Sequence, residues 1–264
     1  MMATPRSSAS TSDAGPTAAP PRPSWRLVVD PPMTGDENMA RDRWLVDELV
    51  AGDRPATLRF YAWRPACISL GLGQKPDILD LEAVKAAGLD VVRRPTGGQA
   101  LLHDDELTYS VVASQADPVV GGTLMQTYHA ITTAFLSGLQ SLGIEGKGAE
   151  CEPRPASGVT PVCFASASAE EILVGGRKLL ASAQWRTRGV FLQHGSLLLT
   201  DRQAELPALM GDGEARRLKP MSVSLAELLT QPPSRAELMA LLAEGFRKAL
   251  GIDLDGAEVR QNRS

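Results

Sequence analysis

Apolar positions recur with period two in some stretches of this chain and with a helical period in others, and the two kinds of stretch do not alternate regularly. Residues 25–29 (WRLVV), 57–63 (TLRFYAW) and 67–73 (CISLGLG) read as strands. Residues 35–53 read as a helix, with Met39, Trp44, Leu45, Glu48 and Leu49 at mixed helical spacing and Gly52 at the stop. A short amphipathic helix follows at 77–88 and ends on Gly88. Strands at 89–94 and 100–113 then enclose the segment RRPTGGQ. The clearest helix is 123–143, striped by Met125, Tyr128, Ile131, Phe135, Leu136 and Leu139.

A loop rich in Pro, Gly and Ser (146–161) leads into VCFASASAEEILV. Gly175-Gly176 then links EEILV to RKLLASAQWR, and a two-residue Gly-Gly link between apolar runs is a strong hairpin signal. After the turn TRG, residues 190–200 (VFLQHGSLLLT) give a third antiparallel strand, and 225–230 and 235–251 read as helices. This irregular order predicts an α+β fold, a mixed and largely antiparallel sheet flanked by helices.

Residues 1–24 contain no Leu, Ile, Val, Phe or Tyr, so nothing there can build a core, and the segment is expected to be disordered. It has no apolar stretch of the kind a secretory signal needs, although its Arg-bearing, acid-poor make-up leaves a transit peptide open. Residues 25–264 are expected to form a single domain. The net charge of −4 argues against nucleic acid as a partner, because neutralising phosphates takes a basic surface. No apolar run approaches the roughly 20 residues that span a bilayer, so no membrane association is expected. Three cysteines (Cys67, Cys151 and Cys163) make no disulfide framework. With three histidines and no paired-ligand spacing, no metal site is expected. A reducing cytoplasm is the expected compartment.

Three motifs carry candidate chemistry. RRPTGG lacks the Gly-Lys-Ser/Thr ending of a phosphate loop. It reads either as a turn that lets backbone approach a ligand, with guanidinium groups for an anionic part, or as a plain strand connection with surface arginines. In RKLLASAQWR the period of two puts Lys178, Leu180, Ser182 and Gln184 on one face, so Lys178 is either solvated or part of a site beside the tight turn. Cys163 closes the irregular loop just before a strand, and reads either as a core thiol or as a nucleophile. Cys67, in an apolar strand, reads as a core thiol, and Cys151, in a polar loop, as an exposed one.

Taken together, RRPTGGQALLHDDELTYSVV and CFASASAEEILVGGRKLLASAQWRTRGVFLQHGSLLL resemble the two sequence blocks of the biotin/lipoate ligase–transferase superfamily. The first is Arg-Arg-x-Thr/Ser-Gly-Gly, then His-Asp, then Tyr-Ser. The second is Gly-(Arg/Lys)-Lys-(Ile/Leu)-x-x-Ser-Ala-Gln, then Gln-His-Gly-Ser. Both occur in order, and the resemblance spans roughly 25–250. HDDELTYS, and Cys163 fifteen residues before Lys178, are most similar to the branch of octanoyl-[acyl-carrier-protein]:protein N-octanoyltransferases that use a loop cysteine. Gln99 and the Leu-Ala before Ser182 depart from the usual pattern, which bears on acyl-chain or donor preference.

The resemblance implies a ligase-like catalytic domain over 25–264. It implies transfer of octanoyl from octanoyl-acyl carrier protein to a lysine of a lipoyl-domain protein, such as a glycine-cleavage carrier protein or a dehydrogenase E2 subunit. No cofactor, ATP or metal is implied. Cys163 would be the nucleophile, with Lys178 lowering its pKa and orienting the carbonyl. Arg94, Thr96, Gly97, Gly98, His103, Ser182, Ala183, His194 and Gly195 would bind substrate, the arginines of the turn meeting phosphopantetheine or the carrier's acidic surface. An ATP-dependent lipoate–protein ligase and an octanoyl amidotransferase between lipoyl proteins are the alternatives within the same fold.

Overall fold

Gly175 and Gly176 have φ of 58° and 78° in the computed structural model, the left-handed pair that a two-residue hairpin turn requires. They join strands β8 (Ile172–Val174) and β9 (Arg177–Thr187), and Arg188-Gly189 returns the chain into β10 (Val190–Leu198). The structure describes residues 21–52, 54–149, 162–165, 171–213 and 215–259, with no side-chain description from 257 onward. The first 20 residues of the segment read as disordered, and Cys151 with the loop around it, lie outside the described residues.

The hairpin belongs to an eight-stranded sheet in the order β11-β1-β2-β6-β10-β9-β8-β7. Its other members are β1 (Ser24–Val29), β2 (Thr57–Tyr61), β6 (Glu106–Ser114), β7 (Lys147–Gly148) and β11 (Asp253–Val259). β1 runs parallel to both β2 and β11, and from β2 across to β7 every neighbour is antiparallel. A second sheet, β4-β3-β5, joins β3 (Cys67–Leu70), β4 (Asp90–Arg93) and β5 (Leu101–His103). The mixed, largely antiparallel α+β architecture is the one the pattern predicts.

The two faces of the large sheet are unlike. Leu58 and Phe60 of β2, Leu107, Tyr109 and Val111 of β6, and Phe191 and Leu197 of β10 point into the main core. That core is closed by α3 (Leu124–Gln140) and α5 (Arg235–Leu250). Of the stripe expected on α3, Ile131, Phe135 and Leu139 are buried while Met125, at the first turn, is 37% exposed. On the opposite face Val112, Val190 and Leu192 pack on Leu45 and Val46 of α1 (Gly35–Val50).

Period two sends the intervening residues to that second face: Arg59 and Tyr61 from β2, Thr108 and Ser110 from β6, and His194 and Ser196 from β10. They meet Asp30, Asn38 and Asp42. Arg59 is fully buried and donates to Asp30 (2.7 Å), Asp42 (2.8 Å) and the Asn38 amide oxygen (2.8 Å), with Tyr61 stacked 3.8 Å from its charge centre. The burial of these charges is compensated because each meets an opposite charge or a dipole.

Candidate active site

A cavity of about 50 Å³, on a scale where one water takes roughly 10–15 Å³, lies between the polar face of the large sheet and the small sheet. It has room for a short run of methylene-sized groups. β9 and β10 supply Ala181, Ser182, Ala183, His194, Gly195 and Ser196, and the small sheet supplies Ser69, Leu101 and His103. The RRPTGG turn contributes Arg94, Gly98 and Gln99, and Cys163 and Glu171 complete the wall.

Cys163 opens a single turn of 3₁₀ helix, Cys163–Ala165, pinned at both ends. Its N–H donates to the Ala100 carbonyl (2.9 Å), and the Phe164 carbonyl accepts from Met221 (2.8 Å). The thiol is half-buried. Cys67 is fully buried, and burial, followed by the charges of Asp90 and Asp36, pushes its thiol up to about 12.

Lys178 is not solvated. It is 2% exposed, and its Nζ donates to the Cys163 backbone carbonyl (2.8 Å) and pairs with Glu171 Oε2 (2.8 Å), itself 2% exposed. The ion pair spans the β8–β9 hairpin, where the register shifts between Ile172 and Leu173, and it ties the cysteine's turn to the strand.

Arg94 does not reach the surface. It is 6% exposed, and its N–H groups go to Ser69 Oγ (2.9 Å) and the carbonyls of Ser69 (3.0 Å), Gly97 (2.9 Å) and Gln99 (2.7 Å). The arginine expected to meet phosphopantetheine is the strut of its own turn instead, and Arg93 is the exposed one of the pair, donating to the carbonyls of Leu72 and Gln74. Burial pushes the Arg94 guanidinium down, opposed most by Cys163 and then by Tyr128 and Tyr61. Among the described residues no carboxylate pairs with Arg94, which lines the cavity with its N–H groups held by the turn.

Thr96, which is buried, and Gly97, which is exposed, do not line the cavity. Thr96 Oγ1 accepts from Arg94 Nε (3.2 Å) and lies 2.7 Å from His194 Nε2, while His194 Nδ1 lies 3.0 Å from Asp42 Oδ2. With a neutral imidazole the roles along the chain are these. The Arg94 N–H donates to Thr96, Thr96 O–H donates to Nε2, and Nδ1–H donates to the carboxylate. Burial lowers the His194 pKa against the pull of Asp42, which favours the neutral ring with Nε2 accepting from Thr96. Asp42 is held below the usual carboxylate range: burial pushes it up, but the Arg59 charge and the His194 bond outweigh that.

His103 is stacked on Trp63 (centroids 4.0 Å apart, planes at 16°) and bonded to Glu106 (2.7 Å) and Ser69 Oγ (2.7 Å). Ser182 is bonded to Tyr109 OH (2.8 Å), which also accepts from Gln193 (3.0 Å). Cys163, Arg94, Gly98, His103, Ser182, Ala183, His194 and Gly195 thus come together on one cavity. Asp42, Arg59 and Glu171 complete the arrangement without having been singled out from the sequence.

Cavity, cysteine turn and buried relay sit on a domain that matches the lipoyl protein ligase A/B catalytic domain over residues 34–247, and the chain belongs to that family. Curated relatives named octanoyltransferase LipM are similar over most of their length. The protein of Symbiobacterium thermophilum is 40% identical over 250 residues, covering 90% of each chain. That of Moorella thermoacetica is 42% identical over 242 residues, covering 88% of this chain and 79% of its own. Among solved structures, a lipoate-protein ligase A bound with ATP superposes with a TM-score of 0.72 at 23% identity, over 90% of both chains. A putative lipoate protein ligase from T. acidophilum with bound lipoic acid gives 0.71 at 23% identity, again over 90% of both. The structural likenesses establish the fold.

Proposed function

We propose that this octanoyltransferase takes its acyl group from octanoyl-acyl carrier protein onto Cys163 and passes it from there to a lysine of a lipoyl-domain protein. The observation that carries the reading is the position of Cys163: half-buried on the cavity wall, on a turn held by Lys178, and on the same cavity as Arg94. The names of the relatives supply the octanoyl group. The carrier donor and the thioester intermediate are the chemistry this cysteine best fits.

A free thiol titrates near 8.5, so at neutral pH it is mostly protonated, and nearby cations favour the thiolate. Arg94 lines the same cavity and has no carboxylate partner among the described residues. Lys178 supplies a charge that it shares with Glu171, and its ammonium orients the cysteine's turn and the carbonyl of the bound thioester. The Cys163 thiolate attacks the donor's carbonyl carbon, the bond to the carrier sulfur breaks, and the carrier leaves as a thiol with the proton Cys163 gave up. The donor is already activated, so no nucleotide is consumed. Leu101 and Ala181 offer apolar contact to the chain, and the Arg94–Thr96–His194–Asp42 relay fixes the turn that shapes the pocket. A cytoplasmic, reducing setting suits the free thiols Cys67 and Cys163.

The test is transfer from octanoyl-acyl carrier protein to a lipoyl domain in nucleotide-free buffer with EDTA. Octanoylated acceptor is the expected product. If free octanoate or lipoate is attached only with ATP and magnesium, and the carrier thioester is inert, the protein is a ligase. If the only competent donor is another octanoylated lipoyl protein, it is an amidotransferase.

A further inference from the structure

The acceptor lysine poses a problem that Cys163 and Lys178 leave unsolved. An alkyl amine with a pKa near 10.4 arrives as an ammonium, and roughly one in 2,500 is neutral at pH 7. It cannot attack a thioester until a proton is removed.

Among the described residues, the cavity wall holds three groups able to accept a proton besides the thiol: His103, His194 and Glu171. Both histidines are committed. His194 uses Nδ1 on Asp42 and Nε2 on Thr96, and His103 uses Nδ1 on Glu106 and Nε2 on Ser69. Among the described residues Glu171 is the only carboxylate on that wall, and it already holds an alkylammonium, that of Lys178, at 2.8 Å. The same Lys178 ammonium is 2.8 Å from the Cys163 carbonyl, so the carboxylate that binds it belongs to the cysteine's immediate surroundings.

We propose that Glu171 is the acceptor-amine site, where its carboxylate binds the incoming lysine ammonium beside Lys178 and removes its proton. The inference rests on the thioester reading above and deepens it. One proton passes from the ammonium to Glu171. The freed nitrogen lone pair bonds to the acyl carbon, the bond from that carbon to Cys163 Sγ breaks with its electrons going to sulfur, and the second proton on nitrogen goes to that sulfur. The products are the amide, the Cys163 thiol and a protonated Glu171, which returns its proton to solvent. Lys178 keeps its bond to the Cys163 carbonyl throughout.

The experiment compares two nucleophiles on the same acyl-enzyme. Wild type and E171Q are loaded with octanoyl-acyl carrier protein, freed of donor, and challenged with a lipoyl domain or with hydroxylamine at pH 7, while intact mass follows loss of the acyl group. Hydroxylamine is already neutral at that pH and needs no base. A general base contributes about 10²–10⁴-fold, so the ratio of lysine to hydroxylamine rates should fall at least ~100-fold in E171Q. E171D, which keeps the carboxylate, should recover part of the ratio. An unchanged ratio in E171Q overturns the proposal, because a purely structural role slows both nucleophiles alike. If E171Q does not fold or load, E171D decides: its shortened carboxylate should lower the ratio ~10-fold, and a wild-type ratio overturns the proposal. A wild-type protein that never gains the octanoyl mass overturns the thioester reading instead, and this inference falls with it.

Discussion

Cys163 and Cys67 are the same residue type in opposite settings, and their reactivity should separate accordingly. Cys163 is half-buried on the cavity that Arg94 also lines, with Lys178 on its backbone carbonyl, whereas Cys67 is fully buried with its thiol pushed up to about 12. Iodoacetamide at pH 7 should label Cys163 and leave Cys67 unmodified in the folded protein, as peptide mapping would show. Equal labelling would mean the Cys163 environment does not favour the thiolate. Lys178 and Glu171 make a second prediction at this scale. Removing one member of a buried ion pair strands the other and costs about 3–5 kcal/mol, while replacing both by apolar groups is close to neutral. K178M should therefore lose about that much stability in a urea titration, and K178M/E171L should regain most of it. A double variant whose loss equals the sum of the K178M and E171L losses would mean the pair is not coupled.

The helices α3 and α5 cross where neither can carry a side chain. A Cβ on Gly245 would sit 2.5 Å from the Gly138 amide nitrogen and 2.6 Å from the Ala134 carbonyl oxygen, both backbone atoms that cannot swing aside. G245A should cost about 1–3 kcal/mol by overpacking, even though alanine is the better helix former. A denaturation midpoint equal to wild type would show that the helices part freely.

Elements also show how far the pattern along the chain reaches. The β8–β9–β10 meander was legible because its turns are local and the Gly-Gly link demands one geometry. The small sheet was not, since β3 pairs in parallel with β4 and antiparallel with β5, and neither pairing leaves a local mark. Strand β11 was missed because IDLDGAEV has acids and a Gly where an apolar run would be, and it forms by edge pairing with β1. Of the site, the motif residues were legible as a group but not in their roles. Arg94 turned inward because its own turn offers it carbonyls. Asp42, Arg59 and Glu171 look like ordinary surface charges until α1 or the hairpin closes over them.

At the scale of the molecule, the relay from Arg94 to Asp42 joins the RRPTGG turn, β10 and α1, and it gives the fold a pH dependence. Burial lowers the His194 pKa below the unfolded value near 6.5. Between those two values the unfolded chain binds a proton that the folded chain does not, so stability rises with pH across that window and is lost as pH falls below about 6.5. The melting temperature should fall from pH 7 to pH 5. H194N keeps a donor toward Asp42 and removes the titration. It should be about 1–3 kcal/mol less stable at pH 7, from the partner lost to Thr96, with a flatter profile. A profile as steep as wild type would assign the proton to another group.

If the octanoyl group rests on Cys163 between donor and acceptor, peptide mapping of the acylated protein will find it there. After mixing with octanoyl-acyl carrier protein without nucleotide, one octanoyl group should appear on the peptide containing Cys163, be released by hydroxylamine, and be absent from C163S. Acyl transfer by C163S at the wild-type rate, or an octanoyl group found on Cys67 or Cys151 instead, would contradict the account.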